Sequence, residues 1–318
     1  MKAICVILCV LVLVESEQND HGLACLQSHN SGCRKDFTVK IHYWYGRLGN
    51  NILQLKHALY IAQKSESLLI TPDHVLFKRT VYDFRSTPSN YMDWQVYKSC
   101  SEVVIEHLFA FFAKTTNPCN AVLGNMSHEE SRQLLQQNLL PYLGLTIVPA
   151  PKDRLVIHIR SGDVFDIHER QTHNTSYIQP PCSYYKMIIE DHNFTDILII
   201  STKHDDENLN NPCIQDLLLY NAMISYQHSD LIEDVSTVLG TTHLAFGTGT
   251  FAYELAILSK NVEDVHMTVI FEAECLDLIA TRVTCYYFPD YIPLSSWTAS
   301  DEQRQLMTEY PREKIQIR

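Results

Sequence analysis

Short apolar runs alternate along this chain with longer stretches in which apolar positions recur at helical spacing. Residues 155–157 form a β-branched run typical of a buried parallel strand, and residues 52–63 carry apolar side chains on one helical face. Ser127 and Glu130 form a capping box that predicts a helix through about Leu140. This alternation predicts an α/β fold with mainly parallel sheets.

The same pattern divides the chain into elements and lobes. Predicted strands span residues 37–43, 67–71, 155–159, 196–201, 243–246 and 267–271, and predicted helices span residues 52–63, 127–140, 183–192, 213–220, 231–239 and 251–258. Pro141 and the Pro-Ala-Pro run at 149–151 mark a boundary. We therefore expect an N-terminal lobe at 36–150, a C-terminal lobe at 151–300 and a tail at 301–318. Residues 82–119 give no clear pattern.

The first 17 residues have the form of a secretory signal peptide. Lys2 precedes an apolar run at 3–14, and a polar segment follows at 15–17. The run is shorter than the approximately 20 residues that span a bilayer, so a short signal anchor is the alternative, and membrane association is expected only if this segment is retained. Sequons at Asn125, Asn174 and Asn193 agree with glycosylation in the lumen. We expect the secretory-pathway lumen, with the Golgi preferred and secretion as the alternative.

Two of the ten cysteines lie in this leader, which leaves eight in the rest of the chain. An even number in an oxidising compartment predicts disulfides. Cys25–Cys33 and Cys275–Cys285 are attractive pairs because they are close in sequence, but eight cysteines allow about 105 pairings. No Cys-x-x-Cys or paired Cys/His spacing is present, so a zinc site is not expected.

The composition favours a large folded domain. Of 318 residues, 46% are hydrophobic and ten are glycine, so the chain can bury a substantial core. A net charge of −12 argues against nucleic acid as a partner, because phosphate backbones need a basic protein face. An anionic small ligand therefore needs local cations.

The motif His-Ile-Arg-Ser-Gly-Asp at 158–163 comes directly after the 155–157 run. Ligands of open α/β sheets bind beyond the carboxyl ends of the strands, so this motif lies where a site is expected. Arg160 can hold phosphate oxygens with two parallel hydrogen bonds, Gly162 allows close backbone approach, and Asp163 can orient the arginine or a sugar hydroxyl. The alternative is an Arg160–Asp163 ion pair that only holds a turn.

Two glycine-containing segments also join a strand to a helix, Gly-Arg-Leu-Gly-Asn-Asn at 46–51 and Phe-Gly-Thr-Gly-Thr-Phe at 246–251. Glycines let the backbone approach a ligand, and helix N-terminal amides favour anions, although such loops often only turn the chain. The second segment is a plausible phosphate cradle but not a P-loop, because no Gly-Lys-Thr follows. Asp234 precedes it on the previous helix, where the alternative is a solvated face beside Glu233.

Taken together, these motifs resemble those of the α-1,2-fucosyltransferases and, more distantly, those of the α-1,6- and protein O-fucosyltransferases. The ordered features are the segment at 46–50, the motif at 158–163, Asp234, and Gly-Thr-Phe at 249–251, and they extend over about two-thirds of the chain. The chain departs from the family pattern at Asn51, at Ser161 and at 252–254, where the family has glutamine, a second arginine and tryptophans.

The resemblance implies a GT-B-like fold of two Rossmann-type lobes, with GDP-fucose bound between them and inverting transfer without a metal. It implies that Arg160 and Thr250 contact the donor diphosphate. It places Asp234 near the guanosine and Asn50 at the fucosyl site, and it makes the C-terminal lobe the nucleotide-binding one. The donor-binding residues that it implies are Gly46, Arg47, Gly49, Asn50, His158, Arg160, Asp234, Gly249, Thr250 and Phe251.

The chemistry of sugar transfer agrees with these expectations. Negative charge builds on the leaving diphosphate, so a fixed cation such as Arg160 stabilises the transition state more than the ground state. Metal-dependent transferases use an Asp-x-Asp pattern, which this sequence lacks, and the acidic residues at 205–207 are better explained as a solvated loop. No metal or other cofactor is expected.

An inverting transfer needs a group that takes the proton of the acceptor hydroxyl, or a dissociative path that depends mainly on Arg160. Asp163 is the preferred catalytic base by position, and its rival role is to orient Arg160. Asp166, His168 and Glu169 are further candidates for this base.

We therefore predict a glycosyltransferase that moves fucose from GDP-fucose to a glycan acceptor, which is an oligosaccharide, a glycoprotein or a glycolipid. A transferase of another GDP-sugar is one alternative, and a non-catalytic secreted glycan-binding protein of the same fold is the other. Aromatic residues at 177–185 could line an acceptor groove or instead begin a core helix.

Overall fold

The computed structural model describes residues 38–64, 66–85, 102–104, 126–165, 177–201, 210–227, 229–269, 282–293 and 296–317. Within these ranges the chain forms two sheets. Strands β1 (Thr38–Lys40), β2 (Leu68–Ile70), β3 (Val81–Asp83) and β4 (Glu102–Val104) form the first sheet, in the order β3-β2-β1-β4. β1 pairs in parallel with β2 and with β4, whereas β3 is antiparallel to β2.

The second sheet consists of β5 (Arg154–His158), β6 (Asp196–Ile200), β7 (Ile224–Tyr226), β8 (His243–Phe246), β9 (Asp264–Thr268), β10 (Arg282–Tyr287) and β11 (Gln316–Ile317). Their order is β11-β10-β9-β8-β5-β6-β7, and all neighbours are parallel except β10 and β11. Counted from β5, the parallel strands follow the order 3-2-1-4-5-6 of dinucleotide-binding sheets. The predicted α/β class with two mainly parallel sheets is confirmed, and the second sheet has the Rossmann-type strand order. The GT-B-like arrangement of the two sheets stays a prediction.

The α-helices within the described ranges are α1 (Leu48–Lys64), α2 (His128–Asn138), α3 (Cys182–His192), α4 (Pro212–Tyr220), α5 (Leu231–Gly240), α6 (Thr250–Leu258) and α7 (Asp301–Glu309). The predicted capping box is present at the start of α2, where the Ser127 hydroxyl accepts from the Glu130 amide and the Glu130 carboxylate accepts from the Ser127 amide. Such reciprocal bonds satisfy two backbone donors that a helix start leaves unpaired.

One hydrophobic core joins the two sheets. It contains side chains of α1, such as Ile52 and Leu55, together with side chains of α5 and α6, such as Val238 and Leu255. The helix predicted at 52–63 is present, and 14 of the 17 residues of α1 are buried. The physical reason is that α1 is an interior helix, which contacts its own sheet on one side and α6 of the second lobe on the other.

A second core fills the opposite face of the second sheet, beneath α3, α4 and α7. Successive residues of β5 face the two cores in turn: Val156 belongs to the first, and Leu155 and Ile157 belong to the second. Because side chains alternate between the faces of a strand, a strand covered on both faces is apolar throughout. This double burial explains the continuous apolar run that preceded the 158–163 motif.

Several elements differ from their prediction. The strand expected at 267–271 is Asp264–Thr268, because the polar residues Asp264 and His266 are buried in it. Asp264 pairs with Arg282 of β10, and the His266 ring lies 3.0 Å from the Tyr286 hydroxyl. Neither contact was visible in the apolar pattern. Strands β3, β4, β7, β10 and β11 and helix α7 were not predicted.

The chain ends differ from expectation in a similar way. The strand expected at 37–43 is observed as β1, Thr38–Lys40, and the helix expected at 52–63 begins already at Leu48. The expected tail at 301–318 instead contains α7 and β11, and β11 pairs with β10, so the described part of it completes the second sheet. The division into lobes at Pro-Ala-Pro 149–151 stays a prediction.

A disulfide links Cys182, at the start of α3, to Cys213, at the start of α4. These residues are 31 positions apart, and proximity in sequence did not reveal the pair. Cys285 in β10 is also disulfide-bonded. Cys275 and the Cys25–Cys33 pair lie outside the described residues, so both pairings suggested by proximity stay predictions.

Candidate functional site

The candidate residues collect at the crevice between β5 and β8. The motif at 158–163 follows β5 and the segment at 246–251 follows β8, so both lie beyond the carboxyl ends of neighbouring parallel strands. The winding direction of the sheet reverses between these two strands. Such a switch point leaves room for a ligand between the loops that follow.

A carboxylate lies between two guanidinium groups at the tip of β5. Asp163 Oδ2 is 3.2 Å from Arg160 Nη2 and 3.2 Å from Arg47 Nη2. Arg47 comes from the first lobe, just before α1, so Asp163 does more than hold its own turn. The two arginines outnumber the carboxylate, which leaves one net positive charge beside the crevice. This arrangement suits an anionic ligand.

Two asparagines fix the backbone after β5. Asn211 Nδ2 donates to the Arg160 carbonyl at 2.9 Å, while Asn210 Oδ1 accepts from the Ser161 hydroxyl at 2.9 Å and from the Gly162 amide at 3.1 Å. Gly162 has a φ of 72°, a left-handed conformation that glycine adopts without steric cost. The sequence analysis missed both asparagines, whose only signal is their place before the proline that opens α4.

Aromatic rings contact Arg160 and His158. The Arg160 guanidinium lies 4.1 Å from the centroid of the Tyr177 ring, within cation–π range, so Tyr177 belongs to this site. The His158 ring centroid is 5.0 Å from that of Phe251. Burial, and then the charge of Arg160, lower the pKa of His158 to about 3. His158 is therefore a neutral side chain at physiological pH.

The first turns of α1 and α6 touch. The Thr250 hydroxyl donates to Asn50 Oδ1 at 2.8 Å. A Cβ added at Gly49 would lie 2.5 Å from the backbone nitrogen of Phe251, so this approach requires glycine. Both helices thus begin at the same point, and the amides of a helix N-terminus favour an anion.

The loop before α6 is shaped by its glycines. Gly249 has a φ of 137°, and a Cβ there would lie 3.4 Å from Arg160 Nη1. Gly46 in the other loop has a φ of 70° and packs against the Asn50 amide. The Thr248 hydroxyl donates to the backbone carbonyl of Ile178 at 2.7 Å, so Thr250 is the threonine of this segment that faces the first lobe.

A polar network holds the loop before α1. Asn51 Nδ2 donates to the Tyr45 carbonyl at 2.9 Å, and Gln54 Oε1 accepts from the Tyr45 amide at 3.2 Å. His74 Nδ1 accepts from the Leu76 amide, so Nε2 carries the proton and faces Asn51 Oδ1 at 3.3 Å. Burial lowers the pKa of His74 to about 4, in agreement with a neutral ring. Asn51, where the family has glutamine, therefore supports the loop.

Asp234 lies on α5, the helix that follows β7, and so at the carboxyl ends of the strands, as the crevice does. The residue is buried, whereas its neighbour Glu233 is exposed, so the expectation of a solvated face is wrong for Asp234. Its Oδ1 accepts from the Ser229 hydroxyl at 2.6 Å and from Gln227 Nε2 at 2.9 Å. Burial raises its pKa above the ordinary value, and these hydrogen bonds oppose the rise. Two strand spacings separate β7 from β5, about 10 Å.

The structure thus brings most of the expected site residues to one crevice and leaves Asp234 at its far end. The residues at the crevice are Gly46, Arg47, Gly49, Asn50, His158, Arg160, Asp163, Gly249, Thr250 and Phe251. Their roles in binding and catalysis stay predictions. The further base candidates Asp166, His168 and Glu169 lie outside the described residues, as do the acidic residues at 205–207.

Other expectations are tested only in part. Asn193 is exposed at the C-terminus of α3, whereas Asn125, Asn174 and the leader at 1–17 lie outside the described residues. No helix in the described ranges is long and apolar enough to cross a membrane. The described residues also contain no cluster of three or more His, Cys, Asp or Glu side chains placed to bind a metal ion.

A cavity of about 320 Å³ lies at the N-terminal ends of the strands of the second sheet, opposite the crevice. It is lined by His243, Asp264 and Arg282, which stand at the starts of β8, β9 and β10, and by His192 and Asn193 at the end of α3. The starts of parallel strands are remote from their carboxyl ends, so this cavity is separate from the crevice. Its charged groups pair with one another, since Asp264 contacts both His243 and Arg282.

Comparisons with known proteins give distant likenesses only. No protein-family model and no curated protein sequence matches the chain. A crystal structure of POFUT1 in complex with GDP is similar with 12% identity and a TM-score of 0.39, covering 74% of this chain and 99% of that chain. Two structures of POFUT1 in complex with GDP-fucose have 11% identity and TM-scores of 0.38 and 0.40, each covering 73% of this chain and 98% or 97% of theirs. At these values residue roles do not transfer.

Proposed function

We propose that the chain is a glycosyltransferase that takes fucose from GDP-fucose and passes it to a glycan. The observation that carries the proposal is the meeting of Arg160 and Arg47 with the joined N-termini of α1 and α6 at the β5–β8 crevice. Guanidinium groups and helix N-terminal amides both bind phosphate oxygens. A nucleoside diphosphate is the ligand that suits this combination at a switch point.

In this proposal Arg160 provides the charge for departure of the diphosphate. As the bond between the sugar and the β-phosphate oxygen breaks, negative charge grows on that oxygen, and a fixed guanidinium stabilises it. The Tyr177 ring contacts the Arg160 guanidinium, and Asn211 bonds the Arg160 backbone carbonyl, so both hold this arginine in place. Thr250 can turn its hydroxyl from Asn50 to a phosphate oxygen by rotating one bond. Transfer is then inverting and needs no metal.

Asp163 has two candidate roles in this reaction. Its carboxylate accepts from Arg160 and from Arg47, which supports the orienting role. We propose that Asp163 orients the two arginines from the two lobes. Its position beside the crevice is the support for the alternative role as the base that takes the acceptor proton.

Asp234 is proposed to face the guanine ring. A carboxylate can accept two hydrogen bonds from the donor edge of guanine. Asp234 contacts Gln227, which follows β7, and β7 lies two strand spacings, about 10 Å, from β5. Gln227 and Ser229 fix the carboxylate through Oδ1. A carboxylate in this position would recognise guanine and not the sugar, so a transferase of another GDP-sugar is the close alternative.

Thermal unfolding with added nucleotides tests the proposal. We expect GDP and GDP-fucose, at about 100 times their dissociation constants and with EDTA present, to stabilise the wild-type chain by about 2.7 kcal/mol, a rise of several degrees in melting temperature. Arg160→Ala should lose this rise. The matched control is Arg132→Ala on α2. Among the described residues this arginine forms an ion pair with exposed Glu129, so the substitution should leave the rise unchanged.

Each of the other outcomes supports a different function for this chain. No stabilisation of the wild-type chain by either nucleotide refutes the proposal and favours the glycan-binding alternative. Stabilisation that appears only with added Mn²⁺ refutes metal independence. Stabilisation without any release of fucose from GDP-fucose, with or without a glycan acceptor, indicates another GDP-sugar or a non-catalytic binder.

A further inference from the structure

A buried ion pair joins the two helices that begin at the crevice. Lys56 Nζ, on α1, donates to Glu254 on α6, at 2.7 Å to Oε1 and 2.9 Å to Oε2. The side chains are 6% and 1% exposed. The two residues are 198 positions apart in the sequence, so the pair is a long-range contact between two helices.

The pair continues a line of contacts between α1 and α6. Gly49 lies against the start of α6, and Asn50 accepts a hydrogen bond from Thr250. Lys56 lies about two turns after Asn50 on α1, and its partner Glu254 lies one turn after Thr250 on α6. Both sequences advance in the same direction along this line, so the helices run parallel with their N-termini together. Their positive dipole ends therefore lie side by side, an arrangement that is unfavourable without a ligand anion.

Apolar burial is non-directional, so directional contacts contribute most to the register of these helices. The close approach at Gly49 and the Asn50–Thr250 hydrogen bond set the register at the helix starts, and the Lys56–Glu254 pair sets it further along. Two short hydrogen bonds from one ammonium fix both the distance and the register. Buried ionic groups are best attested in this role of selecting one register, while their net contribution to stability is small compared with an apolar pair.

We propose that Lys56 and Glu254 are positioning residues, which hold α1 and α6 in the one register that presents Asn50 and Thr250 to the same point of the crevice. The inference rests on the proposed function for its consequence, because the aligned residues are those expected at the donor diphosphate. The alignment of the first turns of α1 and α6 can be measured without any nucleotide.

The test compares single and paired substitutions in the full chain. Lys56→Met and Glu254→Leu each leave a buried charge without its partner and should each lower the melting temperature by roughly 10 °C. The double variant Lys56→Met/Glu254→Leu removes both charges and should melt within a few degrees of the wild type. The matched control is Lys186→Met/Asp216→Leu, a half-buried pair between α3 and α4.

Two measurements on the double variant then separate positioning from plain stability. Hydrogen exchange should be at least tenfold faster at the first hydrogen-bonded amides of the two helices, at 51–54 and 254–257, than in the wild type and in the control. GDP should bind about tenfold more weakly, because a changed register moves Asn50 and Thr250 apart and weakens about one hydrogen bond to the diphosphate. The control should match the wild type in both measurements.

The outcomes are decisive for each proposal separately. Unchanged exchange in the double variant overturns the positioning role, whatever its affinity for GDP. Faster exchange with unchanged GDP affinity overturns the consequence for the donor site. If the wild-type chain binds no GDP, the proposed function fails. The exchange measurement alone then still decides whether Lys56 and Glu254 fix the register of the two helices.

Discussion

Replacing Gly49 by alanine tests the contact on which the whole crevice depends. The added Cβ would lie 2.5 Å from the Phe251 nitrogen, 2.6 Å from the Thr250 carbonyl carbon and 2.7 Å from Thr250 Oγ1. Two of these atoms are backbone, so no side chain can move aside. To reach the 3.4 Å of ordinary contact, the starts of α1 and α6 must separate by about 0.9 Å.

The expected cost follows from three effects. Overpacking of this kind costs about 1–3 kcal/mol. Stretching the Thr250–Asn50 hydrogen bond costs about 1 kcal/mol more. Alanine gains about 0.5–1 kcal/mol over glycine in a helix, and less in the first turn, where Gly49 lies. Gly49→Ala should therefore lower the free energy of unfolding by about 2 kcal/mol, roughly 5 °C in melting temperature.

Chemical unfolding and thermal melting, each with and without GDP, measure this prediction. We expect the stabilisation by GDP to weaken in Gly49→Ala along with the stability. The matched control is Gly144→Ala, where the new Cβ would meet Cε of the flexible Lys78 side chain, which can swing away. Its melting temperature should remain within about 1 °C of the wild type. A Gly49→Ala chain that unfolds like the wild type would refute the close approach of the two helices.

Two further predictions concern stability. Removing the Cys182–Cys213 disulfide by double serine substitution should cost about 4 kcal/mol, because a link across 31 residues restricts the unfolded chain, and equal urea midpoints would contradict this. Acidification from pH 7.5 to 5.5 should cost about 3 kcal/mol after allowance for partial exposure. The pKa values of His74, His158 and His266 are about 4, 3 and 4, so the unfolded chain binds protons below pH 6.5 that the folded chain does not. An unfolding free energy independent of pH over this range would refute the burial of these rings.

Local patterns in the sequence sufficed to predict several elements of the fold. The apolar run at 155–157, the capping box at 127–130 and the strand at 243–246 each depend on neighbours in sequence, and the structure places them within a residue or two. The same holds for the position of Arg160 at the end of a parallel strand. These features follow from the side-chain period and from backbone hydrogen bonding, which a short segment already expresses.

Buried polar residues changed the bounds or hid the burial of predicted elements. β9 contains Asp264 and His266, so it begins three residues before the predicted strand at 267–271, and Lys56 in the predicted helix at 52–63 gave no sign that its side of the helix is buried. These polar groups have partners on other elements, such as Glu254 for Lys56. A buried polar group is tolerated when it is paired, and the partner is invisible in the local sequence.

The sequence by itself therefore determined the class of fold, the strand tips and the residue types that suit an anion. Only the tertiary structure decided which of them meet: Arg47 with Asp163 across 116 positions, Asn50 with Thr250 across 200, and Lys56 with Glu254 across 198. Contacts this distant carry no sequence period, because they depend on how two sheets pack through α1 and α6. Shape and charge at the crevice are properties of that packing, since single segments supply the groups but not the distances between them.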